Sequence, residues 1–158
     1  MKLNDIVPQD LQFDNWIMPS DEDLKREYKV EYILKDLPDI INFDPYPTED
    51  SFLRAAKNSE IFQINKQIDA TISNRSRLNS KEDLLKLIKS YRSYPKYRNE
   101  DTLDAIFDGF KNNLPMVMPI IFNFNNTKRV FSGNTRMDVA FILGINPKCI
   151  IMKPEISP

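Results

Sequence analysis

The sequence predicts an α+β protein, a small mixed β-sheet with packed helices preceded by a helical N-terminal region. Three observations lead there. Met118-Pro119-Ile120-Ile121-Phe122-Asn123-Phe124 is rich in β-branched and aromatic residues and reads as a strand. Asn125-Asn126 is a turn signal, after which Lys128-Arg129-Val130-Phe131 returns as a second strand. From Thr135, apolar residues at Met137, Val139, Ala140, Phe141 and Leu143 suit a short buried helix, with Gly144 placed as its C-terminal cap. Pro147 follows, and Cys149-Ile150-Ile151-Met152 resumes as a strand.

The 158 residues suit one compact domain, in which a mainly helical region (1–90) packs on a core (91–158). Hydrophobic content of 41% and charged content of 28% are those of an ordinary globular chain. No apolar run approaches a membrane span, and Met1-Lys2-Leu3-Asn4-Asp5 lacks the apolar core of a signal peptide. The expected location is the cytoplasm, and a single cysteine fits its reducing conditions. With one cysteine and no histidine, the usual structural zinc sites are excluded. Any catalytic base must be a carboxylate or, less often, a lysine or tyrosine. The net charge of −1 hides an asymmetry. Residues 1–65 carry 7 basic and 14 acidic groups, residues 66–98 carry 9 and 3, and residues 99–158 carry 6 of each. Such a basic middle segment favours a polyanionic partner.

Along the chain, Trp16-Ile17-Met18 is expected to dock onto the core. Ser20-Asp21-Glu22-Asp23 has the form of a helix start, an N-cap followed by acids. That helix should run to about Lys35 with Leu24, Tyr28 and Tyr32 on one face, and stop at Leu37-Pro38. Asp44-Pro45-Tyr46-Pro47 reads as a rigid loop, and Thr48 caps a helix from Glu49 to about Lys57. Ile61, Ile64, Ile68 and Ile72 have helical spacing and predict a further helix. Asn74 to Asn79 is an exposed loop bearing Arg75 and Arg77, and Ser80 starts a helix with Leu84, Leu87, Ile88 and Tyr91 inward. Tyr91-Arg92-Ser93-Tyr94-Pro95-Lys96-Tyr97-Arg98 interleaves aromatic faces, which can stack on bases, with cations for phosphates. Arg75, Arg77, Arg92, Tyr94, Lys96, Tyr97 and Arg98 are therefore the candidate nucleic-acid-binding residues. The plainer reading makes these tyrosines anchors of a Pro-containing linker and the cations solvated. A helix capped near Asn99 and running from Leu103 to about Lys111 turns Leu103, Ile106, Phe107 and Phe110 inward.

The chemistry concentrates at Ser132-Gly133-Asn134-Thr135-Arg136. A polar turn opening a helix presents backbone N–H groups at the positive end of the helix dipole. Gly133 permits close approach, while Thr135 and Arg136 add a hydroxyl and a forked cation, an arrangement suited to phosphate. The plainer alternative is a loop and helix cap with Arg136 solvated.

Residues 119–152 resemble the ParB/sulfiredoxin-fold family through Pro119-Ile120-Ile121, Gly133-Asn134-Thr135-Arg136, Leu143-Gly144 and Ile150-Ile151-Met152. The Ser-Gly-Asn-Thr-Arg form, followed by Gly144-Ile145-Asn146-Pro147-Lys148, is most similar to small phage-encoded ParB-like proteins, some of them held to be kinases of hydroxymethylated pyrimidines in DNA. The resemblance implies ATP phosphates bound by Ser132, Gly133, Asn134, Thr135 and Arg136, with Mg2+, and transfer to a hydroxyl such as that of 5-hydroxymethyluracil in double-stranded DNA. It also implies that Arg92 or Arg98 helps line the nucleotide site. Arg136 and a carboxylate from Asp138, Glu100, Asp101 or Asp104, with Asp108 also near, are the catalytic candidates. The sulfiredoxin cysteine and histidine are absent from the loop, which argues against a sulfinic-acid reductase. A chromosome-partition clamp is not expected either, since the acidic residue and several arginines that partition proteins carry after the glycine are not matched here. The alternative is a non-catalytic nucleotide- or DNA-binding module; no acidic metal cluster supports a nuclease.

Overall fold

The computed structural model describes residues 11–64, 72–73 and 100–156. It is α+β, as the sequence predicts. In chain order the elements are β1 (Trp16–Ile17), α1 (Asp21–Glu27), a π-helical turn (Tyr28–Ile33), α2 (Leu37–Ile41), α3 (Glu49–Lys57), β2 (Glu60–Gln63) and β3 (Ile72–Ser73). There follow α4 (Glu100–Lys111), β4 (Met116–Val117), β5 (Ile120–Phe124), β6 (Thr127–Ser132), α5 (Asn134–Ile142) and β7 (Lys148–Met152). The main sheet has the order β2-β7-β5-β6-β3, and β1 pairs in parallel with β4 to form a separate two-stranded ribbon.

Local chemistry explains the joints. Asn125 and Asn126 both have positive φ, 53° and 62°, the backbone of a type I′ turn, and they join β5 to β6 as a tight antiparallel hairpin. Asparagine tolerates this conformation better than most residues. Helix α5 ends in a Schellman motif. Gly144, at φ 74°, donates its N–H to Phe141 O, and Ile145 N–H reaches back to Ala140 O at 2.8 Å. The capping boxes at Ser20/Asp23 and Thr48/Ser51 start α1 and α3 where the sequence placed them.

Three expectations are corrected. In place of the helix forecast through Ile61 and Ile64 stands strand β2, which ends just before Ile64 and runs antiparallel to β7 with Ile61 opposite Ile150. Helical spacing lost to long-range pairing: Ile61 is 59% exposed, while Ile64 is fully buried and donates its N–H to Pro147 O. The single helix to Lys35 becomes α1 and then a wider turn, in which Leu34 N–H bonds Lys29 O five residues back. Leu24, Tyr28 and Tyr32 remain on one buried face. In a pure α-helix each four-residue step overshoots by about 40°, and the wider turn brings Tyr32 back towards the stripe. Pro38 begins a helix rather than ending one. Asp36 takes a left-handed backbone at φ 54°, and Pro38 occupies the first turn of α2, where its missing N–H costs nothing.

Strands β5 and β7 run parallel at the middle of the sheet and are apolar on both faces because both are covered. On one face Ile120, Phe122, Phe124, Ile150 and Met152 meet α1, the π turn and α3. On the other, Ile121, Cys149 and Ile151 pack with Met137 of α5. Phe107 and Phe110 of α4 then cover α5 at Val139, Ala140 and Leu143. Strands β2 and β3 pair with β7 and β6, so one sheet draws on both sides of the anticipated boundary at residue 90. Among the described residues no helix is long and apolar enough to cross a membrane.

The first face is built of rings. Phe122 stacks on Phe131 at 4.3 Å and approaches Tyr46 at 5.4 Å and Phe124 at 5.0 Å. The buried tyrosines keep their hydroxyls bonded: Tyr28 donates to Tyr46 O, Tyr46 to Lys153 O, and Tyr32 to Asp44. Burial, and for Tyr32 also the bond to Asp44, holds the Tyr32 and Tyr46 phenols protonated far above their usual range. Phe122→Ala removes the ring shared by these contacts and should lower stability by about 3–5 kcal/mol in urea unfolding. A loss below about 1 kcal/mol would contradict this packing.

Candidate functional site

The site forms where β6 hands over to α5. Ser132 ends the strand and Gly133 turns the chain in the left-handed region at φ 94°. A Cβ there would lie 2.9 Å from both Cα and Cβ of Pro119 and 3.0 Å from an Arg136 Nη. Only glycine meets both demands. Met137 N–H closes the first helical bond, to Gly133 O at 2.9 Å. By helix geometry the N–H groups of Asn134, Thr135 and Arg136 have no acceptor within the helix, and the first turn carries no acid.

Arg136 departs from the solvated residue of the plainer reading. Its side chain folds back beneath the loop, where Nε donates to Val117 O at 3.0 Å. Burial lowers its pKa, and the nearby carboxylates Glu27 and Asp23 work in the opposite direction. These acids come from α1. Together with Arg26, Val117, Ser132 and Arg136 they line a cavity of about 60 Å³.

Sequence reasoning missed this contribution of α1. Asp23 and Glu27 are one helical turn apart, so they share a face. Their acidic first-turn and mid-helix positions gave no sign that they would face a loop more than a hundred residues away. Asp23 has a structural duty: its carboxylate accepts from Ser20 N–H at 3.0 Å and from Arg26 at 2.9 Å, and chiefly the backbone bond depresses its pKa. Glu27 differs. Burial pushes its pKa up, partly offset by a hydrogen bond from Ser132 and by the charge of Arg136. One of its oxygens, Oε2, is buried and accepts no hydrogen bond.

The other predicted residues are placed as follows. Ser132, Gly133, Asn134, Thr135 and Arg136 are brought together at the start of α5, with Thr135 half-buried. Asp138, one turn further along, is only 1% exposed and does not line the cavity. Glu100 and Asp101 open α4, and Asp104 and Asp108 follow on it, both half-buried and neither lining the cavity. Arg75, Arg77, Arg92, Tyr94, Lys96, Tyr97 and Arg98 lie outside the described residues. Among the described residues there is no group of three or more potential metal-ligating side chains.

No family model, curated protein or solved structure matches the chain.

The raised pKa of Glu27 links the site to stability. The folded chain keeps this proton to a higher pH than the unfolded chain, so folding takes up a proton between the two values. Stability tied to Glu27 is present below the unfolded carboxyl range and is lost as pH rises through the folded value. Glu27→Gln removes that slope, so its melting temperature should gain on wild type as pH is raised from about 4 to 7. A difference that stays constant across this range would contradict the burial penalty at Glu27.

Proposed function

We propose that the protein is a phosphotransferase that holds the phosphates of ATP on the loop from Ser132 to Arg136 and passes the γ-phosphoryl group to a hydroxyl. The observation that carries this reading is the left-handed Gly133 at the head of α5, with three helix N–H groups and a half-buried guanidinium gathered around it. Phosphoryl transfer is mainly a matter of positioning and charge neutralisation, which such groups supply. Magnesium would arrive on the phosphates, since this ion commonly binds through one or two carboxylates, water and the substrate itself. A cavity of about 60 Å³ is far below the several hundred that a nucleotide fills, so nucleoside and base lie outside it along the loop.

The resemblance of Gly133-Asn134-Thr135-Arg136 and its flanks to ParB-like phage proteins supports 5-hydroxymethyluracil in DNA as the acceptor. The excess of basic residues between positions 66 and 98 supports a polyanionic substrate. The burial of Asp138 favours a second reading, a module that binds nucleotide or DNA without chemistry.

The test offers γ-labelled ATP and magnesium together with DNA containing 5-hydroxymethyluracil, unmodified DNA or free serine. Label is expected on the hydroxymethylated DNA alone, and Arg136→Lys, which keeps the charge but loses the fork, should reduce transfer by about 100-fold. Label on serine would reassign the acceptor. No label from protein that still binds ATP would establish the binding module.

A further inference from the structure

We propose that the cavity between α1 and the loop from Ser132 to Arg136 is the subsite for the acceptor hydroxyl, and that Glu27 receives its proton at Oε2. This assignment rests on the phosphotransferase reading and adds to it the residue that activates the nucleophile.

Three observations converge. The first is the unused acceptor. Buried carboxylate oxygens are normally hydrogen-bonded, yet Oε2 accepts nothing. A donor from outside the chain would complete it, and an acceptor hydroxyl is such a donor.

The second is size. The cavity, about 60 Å³, has room for a small polar group such as a CH2–OH arm. The third is the company Glu27 keeps: Arg26 and Arg136 line the same cavity and supply positive charge beside the place where a phosphoryl group would be received.

The rival carboxylates are otherwise engaged. Asp23 is bound to the Ser20 N–H and to Arg26, and Asp138 is buried in α5 away from the cavity lining. In the step assigned here, the hydroxyl oxygen bonds to the γ-phosphorus as its O–H bond breaks and the proton passes to Oε2. The bond from the γ-phosphorus to the bridging oxygen breaks with its electron pair leaving on ADP. The charged and polar groups acting on Glu27 are Ser132 and Arg136 from across the cavity, and Arg26 and Glu31 from its own helical segment. Burial outweighs the two cations and keeps the carboxylate a stronger base than an exposed one.

The experiment compares the full chain with its Glu27→Gln and Glu27→Asp variants, measuring ATP affinity by calorimetry and transfer to hydroxymethylated DNA across pH. Glu27→Gln should keep its ATP affinity within about threefold and lose at least about 100-fold in transfer, with the acid limb of the kcat/KM profile abolished. Glu27→Asp should recover part of the rate, with a displaced acid limb. Transfer by Glu27→Gln within about threefold of wild type overturns this assignment and leaves the phosphotransferase standing. Joint loss of ATP binding and transfer in both variants makes Glu27 structural and overturns it as well. A wild-type protein that binds ATP but transfers nothing overturns the phosphotransferase reading, and the role of Glu27 falls with it.

Discussion

Pro119 lies so close against Gly133 that no side chain fits between them, and the geometry of the site follows from that contact. Pro119 interrupts what would be one continuous strand, separating β4 from β5, and its carbonyl accepts from Ile150 N–H of β7. The end of β6 arrives beside it through the β5–β6 hairpin. With the left-handed region as the available backbone at Gly133, the chain turns sharply into α5 and its first N–H groups emerge at the edge of the sheet. Arg136, one turn along, then points back beneath the loop to Val117 O. Backbone and guanidinium are thus both held in place by contacts within the chain, the prearrangement that the proposed phosphate site relies on.

The aromatic face of the sheet holds α1 in register with this loop. Leu24, Tyr28 and Tyr32 form the buried stripe, and Phe52 and Phe131 join that helical layer to the strands, their rings 5.8 Å apart. Because the stripe is anchored, Asp23 and Glu27 are carried to the cavity together with it. Burying a carboxylate is costly unless its oxygens are satisfied, and Glu27 is satisfied only in part. Keeping such a group beside two arginines costs stability, which is the ground on which a functional role for Glu27 is proposed.

What could be read from residues alone was local. Asn125-Asn126, Gly144, the Ser20 and Thr48 caps and the β-branched and aromatic run of β5 each carry their own instructions, and the turns, helix starts and strand formed where they were expected. The loop at Ser132 to Arg136 was visible for the same reason, as a glycine and polar run between a strand and a helix. Where several residues had two local solutions, tertiary pairing decided. Ile61 and Ile64 suit a helix face, but pairing with β7 drew Ile61 into a strand and left Ile64 just beyond its end. Pro38 can stop a helix or start one, and the left-handed Asp36 selected the second. The contribution of Glu27 had no sequence signal, since it depends on where α1 packs rather than on any motif around it.

Amide hydrogen exchange across the described chain, with and without saturating MgATP, tests the proposed phosphate-binding loop most directly. Slowed exchange is expected at Gly133, Asn134 and Thr135, whose N–H groups open α5, while the central strands β5 and β7 stay unchanged. Unaltered exchange at those three amides with ATP demonstrably bound, or protection confined to another part of the chain, would contradict the loop as the phosphate site.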